Sequence, residues 1–248
     1  MKLLELSPIG RYVFVGDTHG DFDASKKVID KYLNDETRIV FLGDYVDRGP
    51  HSKANVDYLL EMREKNPGNV YLLAGNHEFH RTFDFHPADF WYGNEEKDKY
   101  SDVLEALPLV ASIGSILALH GAPPNIERLE EVNRISNTVS DKRWNTIIWS
   151  DLKERGGMTA AIGPGGREVY GGEYFRHVMK KMGKKILIRS HDISAPELLF
   201  ENRCLTVFTT NAYRSVDRFK DRERKVAIAD FSQKATFETI DDLVLEEV

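Results

Sequence analysis

The sequence predicts a mixed α/β fold that opens β-α-β-α-β. Three observations carry this. Short apolar runs ending in Gly alternate with stretches whose apolar residues recur at helical spacing. The runs themselves are almost continuously apolar, as strands of a parallel sheet covered on both faces are. The last third of the chain then turns strand-rich, which argues for a mixed core.

In chain order, Tyr12-Val-Phe-Val15 reads as a buried strand ending at Gly16. Over residues 24–33, Val28, Ile29, Tyr32 and Leu33 fall on one helical stripe. Arg38-Ile-Val-Phe-Leu42 is the second strand, ending at Gly43. Residues 54–63 carry Val56, Leu59, Leu60 and Met62 at helical spacing, stopped by Asn66-Pro-Gly68. Val70-Tyr-Leu-Leu-Ala74 is the third strand, ending at Gly75. Residues 80–100 read as irregular or helical, and 109–113 with 115–119 as a hairpin turning at Gly114. Residues 121–170 are expected to be mostly connecting structure, with a mobile loop in the Gly cluster of 156–172. A helix over 173–182, a strand over 185–189 and two or three strands between 198 and 237 follow. The acidic tail 241–248 reads as a solvated end.

The 248 residues fit one large domain spanning 1–248, since no repeat, low-complexity segment or linker interrupts them. With 41% hydrophobic and 10% aromatic residues, disorder and collagen-like structure are excluded. A net charge of −6 leaves no electrostatic footprint for bulk nucleic acid or an anionic membrane surface. The single cysteine, Cys204, lies in an apolar run and reads as a buried small residue, so a disulfide-stapled fold is excluded. Glu5 and Pro8 break the apolar stretch a signal peptide needs, and no run of about 18 apolar residues occurs. The expectation is a soluble cytoplasmic protein.

The chemistry sits at the strand ends. The first strand is followed by Gly16-Asp17-Thr18-His19-Gly20-Asp21, the second by Gly43-Asp44-Tyr45-Val46-Asp47-Arg48-Gly49, the third by Gly75-Asn76-His77-Glu78. Later strands end at His120-Gly121 and Ser190-His191-Asp192. In open α/β sheets the carboxyl ends of strands converge on one crevice where ligands bind. Each early Gly is expected to allow the tight turn that exposes the next side chain. Imidazole and carboxylate ligands without thiolate suit Mn, Fe or Zn rather than a structural Cys site. Six such ligands exceed the needs of one open ion and fit two ions sharing a carboxylate, an arrangement that activates water and clamps phosphoryl oxygens. A single His or Asp at a strand end is more often a core or surface histidine or a helix cap, and Asp21 and Asp23 are read as caps or first-turn acids of the helix that follows. Five strands each delivering such a residue is a different matter.

These three blocks resemble the phosphoprotein phosphatase family of the calcineurin-like metallophosphoesterases, and their spacings agree with it. Further matches at Ile148-Trp-Ser-Asp151, Ile188-Arg-Ser-His191 and Phe208-Thr-Thr-Asn211 extend the likeness over most of the chain. The resemblance implies a β-sandwich of two mixed sheets flanked by helices. It implies that Asp17 and His19 hold one metal, that Asn76, His120 and His191 hold the other, and that Asp44 bridges both. His77 would be the general acid, oriented by Asp47, and Arg48 would grip the substrate phosphate. Elementary chemistry agrees: Asn is a neutral ligand that keeps an ion electrophilic, and a carboxylate beside an imidazole fixes its tautomer and is expected to raise its pKa. Arg presents a planar fork to phosphate that Lys does not match.

The sequence departs from the family in two places. Ala74 stands where an Arg commonly precedes Gly-Asn-His-Glu. The second phosphate arginine is not fixed by alignment. Arg167 is chosen over Arg155 because Gly163-Pro-Gly-Gly166 beside it gives a flexible approach. Tyr213 lies in a stretch resembling the family loop whose Tyr overhangs the metals, with packing at a strand end as the alternative. Phe83, Phe85, Phe90, Trp91 and Tyr92 offer either a substrate wall or a packing cluster, while His51, His80, His86 and His177 read as surface or helix residues.

The function expected is that of a metal-dependent phosphomonoesterase acting as a serine/threonine phosphatase on phosphorylated proteins or peptides. Hydroxide activated by the two metals would attack phosphorus directly, since no nucleophile elbow or reactive cysteine is present. Manganese is the metal expected in vitro, with iron or zinc as alternatives. A diadenosine-tetraphosphate hydrolase or related nucleotide phosphatase is the second reading, and a non-catalytic scaffold the third. Oligomeric state and regulators are not readable.

Overall fold

The computed structural model describes residues 1–248. In chain order the strands and helices are β1 Leu3–Leu6, β2 Arg11–Val15, α1 Phe22–Tyr32, β3 Thr37–Phe41, α2 Ser52–Lys65, β4 Val70–Leu72, α3 Lys97–Leu104, β5 Val110–Ile113, β6 Ile116–Leu119, α4 Lys142–Trp149, β7 Asp151–Leu152, β8 Ala161–Ile162, β9 Glu168–Tyr170, α5 Gly172–Lys181, β10 Ile186–Arg189, β11 Leu198–Leu199, β12 Cys204–Thr206, β13 Lys225–Asp230 and β14 Val244–Glu247. One sheet has the order β14-β13-β2-β3-β4, another β1-β5-β6-β10-β12-β11. Both are mixed. β2, β3 and β4 run parallel while β13 opposes β2, and β10 runs parallel to both β6 and β12 while β5 opposes β6.

The alternating side chains of each strand explain the layers. Tyr12, Phe14, Val40 and Leu42 from one sheet meet Ala111, Ile116, Ala118, Ile186, Ile188 and Leu205 from the other, forming the inner core of a sandwich. The opposite faces carry Val13, Val15, Ile39 and Phe41, or Leu117, Leu119 and Leu187. These lie in a second core with the helices, through Val28, Ile29, Val56 and Leu59, and through Trp144, Ile147, Phe175 and Val178. Asp21 caps α1 through the Ala24 N–H, and Asp23 sits in its first turn.

Three expectations need correction. Residues 121–170 are not mostly connecting: α4 is capped by Asp141 and buries Trp144, Ile147 and Ile148, and β7, β9 and β8 make a small third sheet. The stretch expected to be a mobile loop holds the β8–β9 hairpin, closed by a 3-10 turn at Pro164–Gly166. The acidic tail is β14, an edge strand antiparallel to β13, with Glu246 accepting from the Tyr32 hydroxyl at 2.6 Å. Glu247 stays exposed at the sheet edge, where charge is tolerated and blunts further pairing.

Candidate metal centre and active site

The carboxyl ends of β2, β3, β4, β6 and β10 meet at one rim, so the loops after them bring Asp17, Asp44, Asn76, His120 and His191 together from far apart in the chain. Close approach, more than turning, explains the glycines there. Only Gly43 among the three has positive φ, at +106°. A Cβ on Gly16 would lie 2.0 Å from the Val207 carbonyl oxygen, and one on Gly75 would lie 2.3 Å from Asp44 Oδ1. The strain falls instead on the functional side chains: His19 (φ 43°), Asp44 (56°), Asp47 (67°), Arg48 (70°) and His191 (74°) all occupy left-handed backbone.

Hydrogen bonds to carbonyls, which can only accept, fix which ring nitrogens are free. His19 Nδ1 donates to Val46 O at 2.9 Å, leaving Nε2 unprotonated. His120 Nδ1 donates to Leu42 O at 3.0 Å, leaving Nε2 free. His191 Nε2 lies 3.1 Å from both the Trp149 carbonyl, which only accepts, and Arg167 Nη1, which only donates, so its tautomer is set by which of the two it serves. The ring nitrogens converge. His120 Nε2, His191 Nδ1 and Asn76 Oδ1 stand 2.9–3.1 Å apart. The lone pairs of His120 Nε2 and Asn76 Oδ1 thus face one another, which a cation accommodates, and His191 Nδ1 joins them when its Nε2 serves the Trp149 carbonyl. Beside them lies a second donor set. Asp17 Oδ2 is buried without any hydrogen-bond partner, 3.6 Å from His19 Nε2. Asp44 Oδ1 accepts the His77 N–H at 3.0 Å, while Oδ2 lies 3.5 Å from His19 Nε2 and 3.4 Å from His120 Nε2, facing both sets. The donors present therefore fit divalent metal ions.

Electrostatics agree with a site built for cations. Burial, reinforced by the facing Asp44, pushes Asp17 up to about 7. Burial works against the Asp44 charge too, but His120, His77 and His19 together hold its carboxyl well below the usual range.

His77 Nδ1 lies 2.6 Å from Asp47 Oδ2, whose Oδ1 accepts the Phe90 N–H at 2.8 Å. The other ring nitrogen faces Arg48 Nη2 at 3.5 Å. The carboxylate was expected to raise the imidazole pKa. Burial outweighs it: His77 is pushed well below its ordinary value, with His19 and Arg48 adding to the effect, and burial takes Asp47 up to about 8.

Arg167 reaches the site, with Nη2 3.1 Å from Asp151 Oδ2 and Nη1 3.1 Å from His191 Nε2, whereas Arg155 is exposed to solvent. Tyr213 places its hydroxyl 3.0 Å from His19 Nε2 and its ring 5.3 Å from the Arg48 guanidinium. A pocket of about 60 Å³ is lined by Asp44, His77, Arg48, Arg167, His191 and Tyr213 among others. It shares Arg48, Phe85, His86, Trp149 and Arg167 with a cleft of about 690 Å³ whose walls also include Phe83. Of the aromatic group, Phe83 and Phe85 line that cleft, whereas Phe90 and Trp91 are packed in the core.

Two residues gained no role from sequence alone. Glu78 takes three backbone N–H groups at the ends of β3 and β4. Asp151 sits between Arg167 and the fully buried Arg189, 3.6 Å away. The Trp-Ser-Asp block was the available signal for Asp151, but its purpose depends on partners brought in by folding.

Fold and donor set together define a metallophosphoesterase. The profile of the calcineurin-like phosphoesterase family matches residues 10–194, and the chain belongs to that family. It is 30% identical over 201 residues to a probable serine/threonine-protein phosphatase of Encephalitozoon cuniculi, covering 73% of this chain and 42% of that protein. A serine/threonine-protein phosphatase of Caenorhabditis elegans is 27% identical over 214 residues, covering 80% of this chain and 47% of that one. The chain thus spans less than half the length of these relatives. Among solved structures, a protein serine/threonine phosphatase from Saccharomyces cerevisiae superposes with a TM-score of 0.81 at 21% identity, over 99% of this chain and 82% of that one. A putative diadenosine tetraphosphatase gives 0.55 at 15% identity, over 99% and 97% of the two chains. No helix is long and apolar enough to cross a membrane.

Proposed function

We propose that this chain is a single-domain, metal-dependent phosphomonoesterase that acts as a serine/threonine phosphatase on phosphorylated proteins or peptides. The observation that carries the reading is Asp44 Oδ2, nearly equidistant from His19 Nε2 and His120 Nε2, with the His77–Asp47 pair alongside. Asp17 and His19 would hold one ion, Asn76, His120 and His191 a second, and Asp44 both; manganese is the ion we would supply first. Such ions supply Lewis acidity toward phosphoryl oxygens and make an attacking water a better nucleophile.

The chain's own groups do the rest. Arg48 and Arg167 line the pocket from two sides and offer forked donors to the phosphate oxygens, orienting the ester. His77, its tautomer fixed by Asp47, holds the proton that goes to the departing alkoxide oxygen. The aromatic wall at Phe83, Phe85 and Trp149 excludes water on the side where a peptide would lie. The names of the curated relatives support the phosphatase over the nucleotide-hydrolase alternative. Turnover of a phosphoserine or phosphothreonine peptide beside a dinucleoside tetraphosphate, each with added Mn²⁺, tests it. Hydrolysis of the peptide alone is expected. Preference for the dinucleotide would overturn the substrate class, and no turnover of either the activity.

A further inference from the structure

Both ends of one surface segment, residues 211–224, are tied to a single carboxylate. Asp21 Oδ2 accepts the Asn211 N–H at 2.7 Å and Arg224 Nε at 3.0 Å, while Oδ1 accepts Arg224 Nη2 at 2.8 Å and the Ala24 N–H at 3.3 Å. Arg224 Nη1 continues to Asp23 at 2.7 Å. Asp21 and Arg224 are nearly buried, so this forked ion pair is poorly screened by solvent.

Beyond that clamp, the flanks are joined by the Lys225 N–H to the Phe208 carbonyl at 2.8 Å and the Val248 N–H reaches the Arg224 carbonyl at 3.1 Å, while the stretch between them is lightly held. Its regular structure is one 3-10 turn, Asp217–Phe219; residues 214–218 are all exposed, Val216 among them. Inside lie two anchors: Arg222, set over the Phe208 ring and donating to the Ile193 carbonyl, and Tyr213. Tyr213 is the part that meets the active site, through His19 and Arg48. A strap with few apolar contacts opens at low free energy unless its ends are held.

We propose that Asp21 is a positioning residue: by clamping both ends of this strap it sets where the Tyr213 phenol stands against Arg48 and His19. The kinetic half of this inference rests on the proposed phosphatase reading, and the clamp itself does not. Asn caps helices as well as Asp does, so Asp21→Asn keeps α1 and the fold while losing the charged fork.

The test has two arms. In the first, native protein is nicked with trypsin and cleavage after Arg214, Arg218 and Lys220 is followed by mass spectrometry. Asp21→Asn and Arg224→Gln should speed cleavage at those sites on the order of tenfold or more, as loss of a charge-assisted hydrogen bond implies, with other sites unchanged. A variant that was merely unstable would be cut faster everywhere. In the second, kcat/KM for p-nitrophenyl phosphate with Mn²⁺ is compared among Asp21→Asn, Tyr213→Ala and the double variant. The double variant should lose no more than Tyr213→Ala alone, because the clamp acts through Tyr213. Unchanged nicking, or losses that multiply in the double variant, overturns the proposal. Wild-type protein without turnover would sink the phosphatase reading, and the nicking comparison would still decide the clamp.

Discussion

Glu78 Oε2 accepts the Asp44 N–H at 2.8 Å, and the same oxygen takes the Gly75 N–H at 2.7 Å while Oε1 takes Tyr45 N–H at 2.9 Å. One buried carboxylate thereby braces the turns after β3 and β4, and holds Asp44 in its left-handed backbone. Glu78→Gln puts an amide NH₂ where at least one backbone N–H must be accepted. Leaving a buried donor unmatched costs about 1–3 kcal/mol. Chemical denaturation should show a loss of about 1–3 kcal/mol, accompanied by reduced turnover because Asp44 is no longer held. A variant of native stability and activity would remove Glu78 from this role.

The His77–Asp47 contact of 2.6 Å predicts a leaving-group dependence. His77→Asn should reduce turnover of alkyl phosphoesters by roughly 10²–10⁴-fold, the usual contribution of a positioned acid. Aryl phosphates, whose oxygen departs without needing a proton, should lose much less. Steady-state rates on a phosphoserine peptide and on p-nitrophenyl phosphate measure the difference. Equal losses on both would mean that His77 is not the acid, and a trapped phosphoenzyme would remove direct attack by water.

Metal removal has a thermodynamic readout that does not depend on substrate. Without cations, Asp17 Oδ2 is buried and unpaired, and the lone pairs of Asn76 Oδ1 and His120 Nε2 oppose one another. Binding to the folded chain alone should stabilise it by about 2.7 kcal/mol at a hundredfold excess over Kd. For a chain of this size, that raises Tm by roughly 5–10 °C. A thermal shift that appears with Mn²⁺, vanishes with chelator and is blunted in Asn76→Ala and His191→Ala is expected. No shift, with no metal retained on elemental analysis, would refute the cation site.

Legibility in the sequence followed how local each signal was. The β2-α1-β3-α2-β4 start was readable because each strand is an apolar run and each helix one stripe. The donor set was readable because every member follows a strand end, where the fold brings ends together. What was not readable depended on partners. α4 has only eight residues, too short for periodicity to separate it from a loop. β14 is an acidic edge that becomes a strand only beside β13. The direction of the His77 pKa was not readable, since burial, a consequence of tertiary packing, outweighs the Asp44 charge that raises it.

Acid stability offers a check away from the site. Asp141 caps α4 by accepting the Arg143 N–H at 3.0 Å and forms a fork with the Arg143 guanidinium at 3.0 and 2.8 Å. The Arg143 hydrogen bonds hold the carboxyl well below its ordinary 3.8. Because the folded value is the lower one, the stabilisation is fully present above about pH 4–5 and fades as pH falls through the unfolded value toward the folded one. Asp141→Ala should cost about 1 kcal/mol near neutrality from the lost cap, and Asp141→Asn less, since Asn still caps. The gap between wild type and Asp141→Ala should narrow as pH is lowered from 6 to 3, followed by urea denaturation at each pH. A gap that stays constant or widens would show that the ionised carboxylate contributes nothing to holding α4.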